Sequence, residues 1–220
     1  MEIKTKNARR ENYSCGRSKP IRYIVIHYTG NYGDTAEKNA EFFGRESVKP
    51  SRSAHFFVDE NAVWQSVPPD SAAWHVSSSA AVHSDCRNSN SIGVEICMLD
   101  KQGEVRRGSV DRAVQLTREL MRKYGIPAER VLRHYDVIRK SCPEPMVRNP
   151  DLWRDFLDRL KGEDDMKYYE NLAEIPAGEM RDTVRMLMDR QVIAGNGSGL
   201  HLSEDMVRVL VWLRRLGVYQ

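Results

Sequence analysis

Five short apolar runs alternate with amphipathic stretches between residues 22 and 160, and that alternation confines this part of the chain to an α/β layered fold. The runs cover 22–27, 54–58, 63–67, 92–97 and 131–134, each of strand length and most of them rich in Val, Ile or Phe. Asp59-Glu60-Asn61, between the second and third, predicts a hairpin turn. Helices are predicted over 35–45, 109–124 and 151–160. In the second of them Val110, Ala113, Val114, Leu116, Thr117, Leu120, Met121 and Tyr124 recur at roughly helical spacing, and Gly125 and Pro127 close it. Asp34 or Thr35, with Glu37 downstream, supplies a cap for the first.

After Lys161 the character changes. Gly162-Glu163-Asp164-Asp165 reads as a short acidic linker. Beyond it, 177–190 and 203–216 predict two amphipathic helices, the second opened by Ser203 ahead of Glu204 and Asp205, with a glycine-rich turn at 195–199 between them. The expected organisation is a layered domain over 1–162 and a small helical module over 163–220, marginal in size for standing alone.

Net charge is +3, divided as +6 over 1–162 and −3 over 163–220. A basic excess this small and scattered, with no nucleic-acid-binding motif, gives no expectation of a nucleic-acid partner. No run approaches the roughly 18 apolar residues of a spanning helix, so membrane insertion is not expected. The start, Met1-Glu2-Ile3-Lys4-Thr5-Lys6, is charged and lacks the apolar stretch of a signal peptide, which predicts synthesis in the cytoplasm. Cys15, Cys86, Cys97 and Cys142 form no CxxC pair and predict no disulfide framework. Cys97 reads as a small buried hydrophobe, and Cys15 and Cys86 carry no assignment.

Three polar residues stand out against this frame. His27 and His134 each end an apolar run, and Cys142 lies in the polar segment Lys140-Ser141-Cys142-Pro143. Taken singly, such a histidine is more often a hydrogen-bonded polar residue than a ligand, and a lone cysteine is usually a buried hydrophobe. Together, two imidazoles and a thiolate suit Zn²⁺, with a fourth position left for water, as in catalytic rather than structural sites. Glu95 sits inside the apolar run 92–97, where a carboxylate must be paired, protonated or functional.

Six segments in this order carry a family resemblance: Ile26-His27-Tyr28-Thr29, Ser53-Ala54-His55-Phe56-Phe57-Val58, Ala73-Trp74-His75, Ser91-Ile92-Gly93-Val94-Glu95-Ile96, Arg133-His134-Tyr135-Asp136 and Lys140-Ser141-Cys142-Pro143. Over roughly residues 20–160 the sequence resembles the zinc-dependent N-acetylmuramoyl-L-alanine amidases, in particular the branch of phage endolysins and prophage autolysins of Gram-positive bacteria. Phage T7 lysozyme and the peptidoglycan recognition proteins belong to the same family. The resemblance implies a central mixed β-sheet flanked by helices, with zinc in a surface groove.

It further implies that His27, His134 and Cys142 bind zinc, that Glu95 is the general base or acid for the attacking water, and that Lys140 stabilises the oxyanion. Trp74 and His75 correspond to the groove wall and imply substrate contact. Some members place a tyrosine just before the His-Phe of the second strand; Ala54 stands there, which shifts weight to Glu95. His55 is a candidate for orienting a ligand or for a satisfied core histidine, and Asn88 and Asn90 are weak candidates for groove lining. The implied function is hydrolysis of the amide between N-acetylmuramic acid and L-alanine in bacterial peptidoglycan, reached after holin-mediated release.

Two other readings stay open. Cys142 as a thiol nucleophile with His134 as its base would make a wall peptidase. A member that had lost catalysis would be a peptidoglycan-binding module. The 163–220 module is faintly similar to S-layer-homology-like wall-binding units, while its Met180, Met186, Met188 and Met206 fit a core or a homo-oligomer contact equally well.

Overall fold

The computed structural model describes residues 1–46, 49, 51–76, 79–161, 168–195 and 199–219. These divide into two compact units, Met1–Leu160 and Lys161–Gln220. In chain order the strands of the first unit are β1 (Lys4–Thr5), β2 (Tyr13–Ser14), β3 (Tyr23–Tyr28), β4 (Phe56–Val58), β5 (Val63–Gln65), β6 (Ala72–Ala73), β7 (Ser91–Ile96) and β8 (Val131–Arg133). Its α-helices are α1 (Ala36–Arg45), α2 (Arg107–Tyr124), α3 (His134–Ile138), α4 (Glu144–Arg148) and α5 (Pro150–Leu160).

Six strands form a mixed sheet in the order β1-β5-β4-β7-β3-β8. Only β4 and β5 pair antiparallel, across the hairpin turn; the other neighbours run parallel. Asp59 shapes that turn: its Oδ1 accepts from the Asn61 and Ala62 backbone N–H groups. β2 and β6 make a separate two-stranded ribbon.

Side chains alternate between the two faces of the sheet. On one face Ile24 and Ile26 of β3, Ile92, Val94 and Ile96 of β7, and Phe56 and Val58 of β4 pack against α2 and α5. Each such side chain contributes about 1.5–3 kcal/mol through burial. On the other face stand Val25 and His27, Gly93 and Glu95, and Phe57. There α1 covers the β4–β5 side through Ala36 and Ala40, packed with Ala54, Phe57 and Cys97. The ends of β3, β7 and β8 are left to line a groove, where open parallel sheets usually place ligands.

The boundaries differ from the sequence expectation in physically explicable ways. The second run pairs regularly only from Phe56, because the His55 carbonyl accepts from both Ser66 and Val67 and the ladder loses its spacing there. The last strand stops at Arg133 and His134 opens α3. Asp136 accepts from the Arg133 backbone N–H and its guanidinium, turning the chain out of the sheet. Thr35 caps α1 and accepts from Lys38, and Gly125 ends α2 in the left-handed conformation at φ 63°.

The second unit holds α6 (Glu179–Asp189) and α7 (Glu204–Arg215), together with an unexpected two-stranded ribbon in which β9 (Tyr168–Tyr169), ahead of α6, pairs with β10 (Leu202–Ser203), ahead of α7. Its core is Tyr169, Ile175, Val184, Leu202 and Val207, with Met180 and Met188 packed on it, whereas Met206 is exposed. Ser203 caps α7 by accepting from Met206 N–H at 3.2 Å. The 162–165 linker and the centre of the glycine-rich turn, 196–198, lie outside the described residues. Among the described residues no helix is long and apolar enough to cross a membrane.

Candidate metal centre

Parallel pairing of β3 with β7 sets His27 directly opposite Glu95, and pairing of β3 with β8 sets Ile26 opposite Arg133, so the next residues, His27 and His134, meet at the strand ends. Their rings lie 4.4 Å apart between centroids. Cys142 arrives from the loop between α3 and α4. Arg139 turns that loop with φ 63°, and the Tyr135 N–H holds the Cys142 carbonyl at 2.9 Å. One ligand atom each from His27, His134 and Cys142 lies within 4.8 Å of the others. The Cys142 Sγ to His27 Nδ1 distance is 3.9 Å.

These residues fit a zinc ion on three observations. The donor set is two imidazole nitrogens and a sulfur, the combination Zn²⁺ favours. The Sγ–Nδ1 separation is close to the roughly 3.3–3.8 Å expected between tetrahedral ligands at zinc bond lengths. Both ring nitrogens of His134 are buried with no hydrogen-bond partner, and a bound cation would supply a partner for one of them.

Burial sets the protonation states of the metal-free site. It holds His134 down at about 4, with Lys140 adding repulsion. His27 is held well below the ordinary histidine value by burial and by the neighbouring histidines. Both imidazoles are therefore neutral at pH 7, as ligation requires. Burial pushes the Cys142 thiol up to about 12 and the Glu95 carboxyl up to about 8, the latter opposed by Lys140. Glu95 Oε1 lies 3.9 Å from His27 Nδ1, and its Oε2 is buried without a partner.

The centre opens into a groove of about 600 Å³ lined by Glu95, Lys140, Trp74 and the α1 side chains Lys38, Asn39 and Phe42. Trp74 is fixed on its wall by an Nε1–H bond to Ser14 Oγ at 2.9 Å. His75 also lines this groove, as the sequence predicts for it, with its ring nitrogens turned to protein partners. It is 8% exposed, and its ring nitrogens lie 3.0 Å from His27 Nε2 and 3.1 Å from Ser91 Oγ, which leaves neither free for substrate. His55 is a satisfied core histidine: its Nδ1 accepts from the Gly93 N–H at 2.9 Å and its Nε2 faces the Ser71 carbonyl. Asn88 and Asn90 do not act as groove lining. The Asn88 side chain accepts from the His75 and Val76 backbone, and Asn90 bonds Arg87 and Asp85. The contribution of α1 escaped the sequence reading; the adjacent Phe42-Phe43 pair, two aromatics that cannot share one buried stripe, was the available signal.

A mixed sheet with a two-histidine, one-cysteine cluster at its parallel strand ends, beside a buried carboxylate, defines an α/β domain with a candidate metal site. The chain belongs to the N-acetylmuramoyl-L-alanine amidase family, whose profile matches residues 17–145. It is 31% identical over 146 residues to a probable N-acetylmuramoyl-L-alanine amidase of Bacillus licheniformis, covering 64% of this chain and 41% of that protein. It is 32% identical over 154 residues to the N-acetylmuramoyl-L-alanine amidase BlyA of Bacillus subtilis strain 168, with the same shares. The chain thus spans about two fifths of these curated relatives. Among solved structures, PlyL matches with a TM-score of 0.62 at 28% identity, over 73% of this chain and 97% of that one. The catalytic domain of XlyA shares the fold, with a TM-score of 0.62 at 24% identity, over 73% and 99%.

Proposed function

We propose that this protein is a zinc-dependent peptidoglycan hydrolase that cleaves the amide between N-acetylmuramic acid and L-alanine. The observation that carries the reading is the convergence of His27, His134 and Cys142 beside Glu95 in an open groove. His27, His134 and Cys142 would hold the ion. A zinc ion bound there would supply Lewis acidity and a water whose pKa is lowered to about 7.

The remaining steps belong to the chain's own groups. Glu95 faces the centre from the next strand, takes a proton from the attacking water and delivers it to the leaving amine of L-alanine. Its raised proton affinity suits both halves of that transfer at neutral pH. Lys140, two residues from a ligand, sets a positive charge where the oxyanion develops. Trp74 offers an aromatic wall to the substrate. The second unit is the wall-retention element of this reading.

A thiol mechanism through Cys142 has less support. Reactive thiols have lowered proton affinity, whereas burial raises that of Cys142. A binding-only role has less support because every residue the hydrolysis needs is present. The test is digestion of purified peptidoglycan with and without chelator. New L-alanine amino termini that vanish with chelator are expected; new reducing sugars, cross-bridge amines, or no new ends at all would overturn the assignment.

A further inference from the structure

We propose that His75 and Ser91 are positioning residues for His27, the middle of a one-directional hydrogen-bond chain that runs from the ligand to the Arg87 carbonyl. The inference rests on the reading of His27 as a zinc ligand. Its links are short and consecutive: His27 Nε2 to His75 Nδ1 at 3.0 Å, His75 Nε2 to Ser91 Oγ at 3.1 Å, and Ser91 Oγ to the Arg87 carbonyl at 2.7 Å.

The direction follows from the far end. A carbonyl only accepts, so the Ser91 hydroxyl donates to Arg87 and turns a lone pair to His75. His75 must then donate through Nε2, which leaves its Nδ1 bare. A bare Nδ1 accepts from His27 Nε2–H, and His27 is left with its lone pair on Nδ1, the nitrogen 3.9 Å from Cys142 Sγ. A neutral histidine without such a partner is free to carry its proton on either nitrogen, and one of the two forms cannot bind a metal through Nδ1. At 3.0 Å the two facing ring nitrogens need one donor and one acceptor between them, and a ligating imidazole keeps the nitrogen that faces the metal bare, so each ring has one N–H to place.

The surrounding structure holds this chain rigidly. The His75 and Val76 backbone N–H groups are both anchored on Asn88 Oδ1, at 3.1 and 2.8 Å. The His75 ring sits against Gly93 of β7, where a Cβ would come within 2.6 Å of the ring. A glycine inside an apolar strand is here the space that the positioning histidine fills.

The test uses the full-length chain. One readout is zinc affinity, by competition with a chromophoric chelator. The other is the His27 tautomer in metal-free protein, by long-range ¹H–¹⁵N correlation. Wild type is expected to bind one zinc and to carry the His27 proton on Nε2. His75→Leu should weaken zinc binding by roughly 10–100-fold, Ser91→Ala by less, and Gly93→Ala should mimic His75→Leu by displacing the ring. His75→Gln, whose amide can accept from His27 and donate to Ser91, should restore most of the loss. A His27 proton on Nδ1 overturns the inference and requires no variant to fold. Folded His75→Leu or Ser91→Ala proteins that both bind zinc within about twofold of wild type overturn it while leaving the ligand reading intact. A wild type that takes up no zinc overturns the ligand reading and the positioning role together.

Discussion

Glu95 stands opposite His27 across a parallel strand pair, and its environment makes it the residue that separates catalysis from metal binding. Glu95→Gln keeps the shape and removes the proton shuttle. It should retain one zinc per chain and lose roughly 10²–10⁴-fold in activity, read as released L-alanine termini; full activity would remove Glu95 from the mechanism. The same residue shapes proton release. At pH 7 the metal-free site holds protons on the Cys142 thiol, raised to about 12, and on Glu95, raised to about 8, and none on the ligand nitrogens of His27 and His134. Zinc requires the thiolate and favours the carboxylate, so loading should release about two protons from wild type and about one from Glu95→Gln in weakly buffered calorimetry. Equal release from both would show that Glu95 is already ionised in the metal-free protein. At this scale much was legible in the sequence: His27, His134 and Glu95 are polar groups that apolar runs do not otherwise tolerate. His75 stood out beside Trp74, but its link to His27 and the part of Ser91 did not, because those partners are set by strand register. The trace they left was Gly93, the missing side chain in a strand interior.

Among the elements, α1 shows how a groove wall is fixed from outside itself. Its first N–H group, on Ala36, donates to Asp59 Oδ2 at 2.8 Å, while Asp59 Oδ1 accepts from Asn61 and Ala62 in the β4–β5 turn. One buried carboxylate therefore joins a helix start to a hairpin. Asp59→Ala should cost about 2–4 kcal/mol in urea unfolding, since it strands backbone donors. It should also weaken substrate binding more than zinc binding, because Lys38, Asn39 and Phe42 ride on α1 and no ligand does. A variant as stable as wild type would mean that water replaces the carboxylate. The longer elements were readable because apolar spacing repeats within them. The two-residue strands β1, β2 and β6 and the five-residue helices α3 and α4 were not, since each is too short to show a period and is held by tertiary hydrogen bonds.

At the scale of the molecule, four buried histidines, His27, His55, His75 and His134, give the first unit a characteristic acid response. All four bind protons more weakly when folded than at the ordinary 6.5, His134 at about 4 and His55 at about 3. Their stabilising contribution is complete above 6.5 and is lost as pH falls towards those values. Glu95, with its raised value of about 8, acts oppositely and is outnumbered. Metal-free protein should therefore lose stability steadily from about pH 6.5 to 3 in circular dichroism titrations, and zinc should delay the loss. The two units add a further expectation. Unit 1 carries its own core across the sheet, with α2 and α5 on one face and α1 on the other. Unit 2 has a separate, much smaller core around Tyr169, Ile175 and Val184. A chain ending at Lys161 keeps every residue of the centre and groove, so it should fold, bind zinc and turn over soluble muropeptides at the full-length rate. If unit 2 is the wall-retention element, the truncated chain should pellet poorly with purified cell walls and lag on intact wall. If it pellets as well as the full-length protein, unit 2 has another task. Mass measurements of the isolated 161–220 segment would then show whether that task is pairing with a second copy.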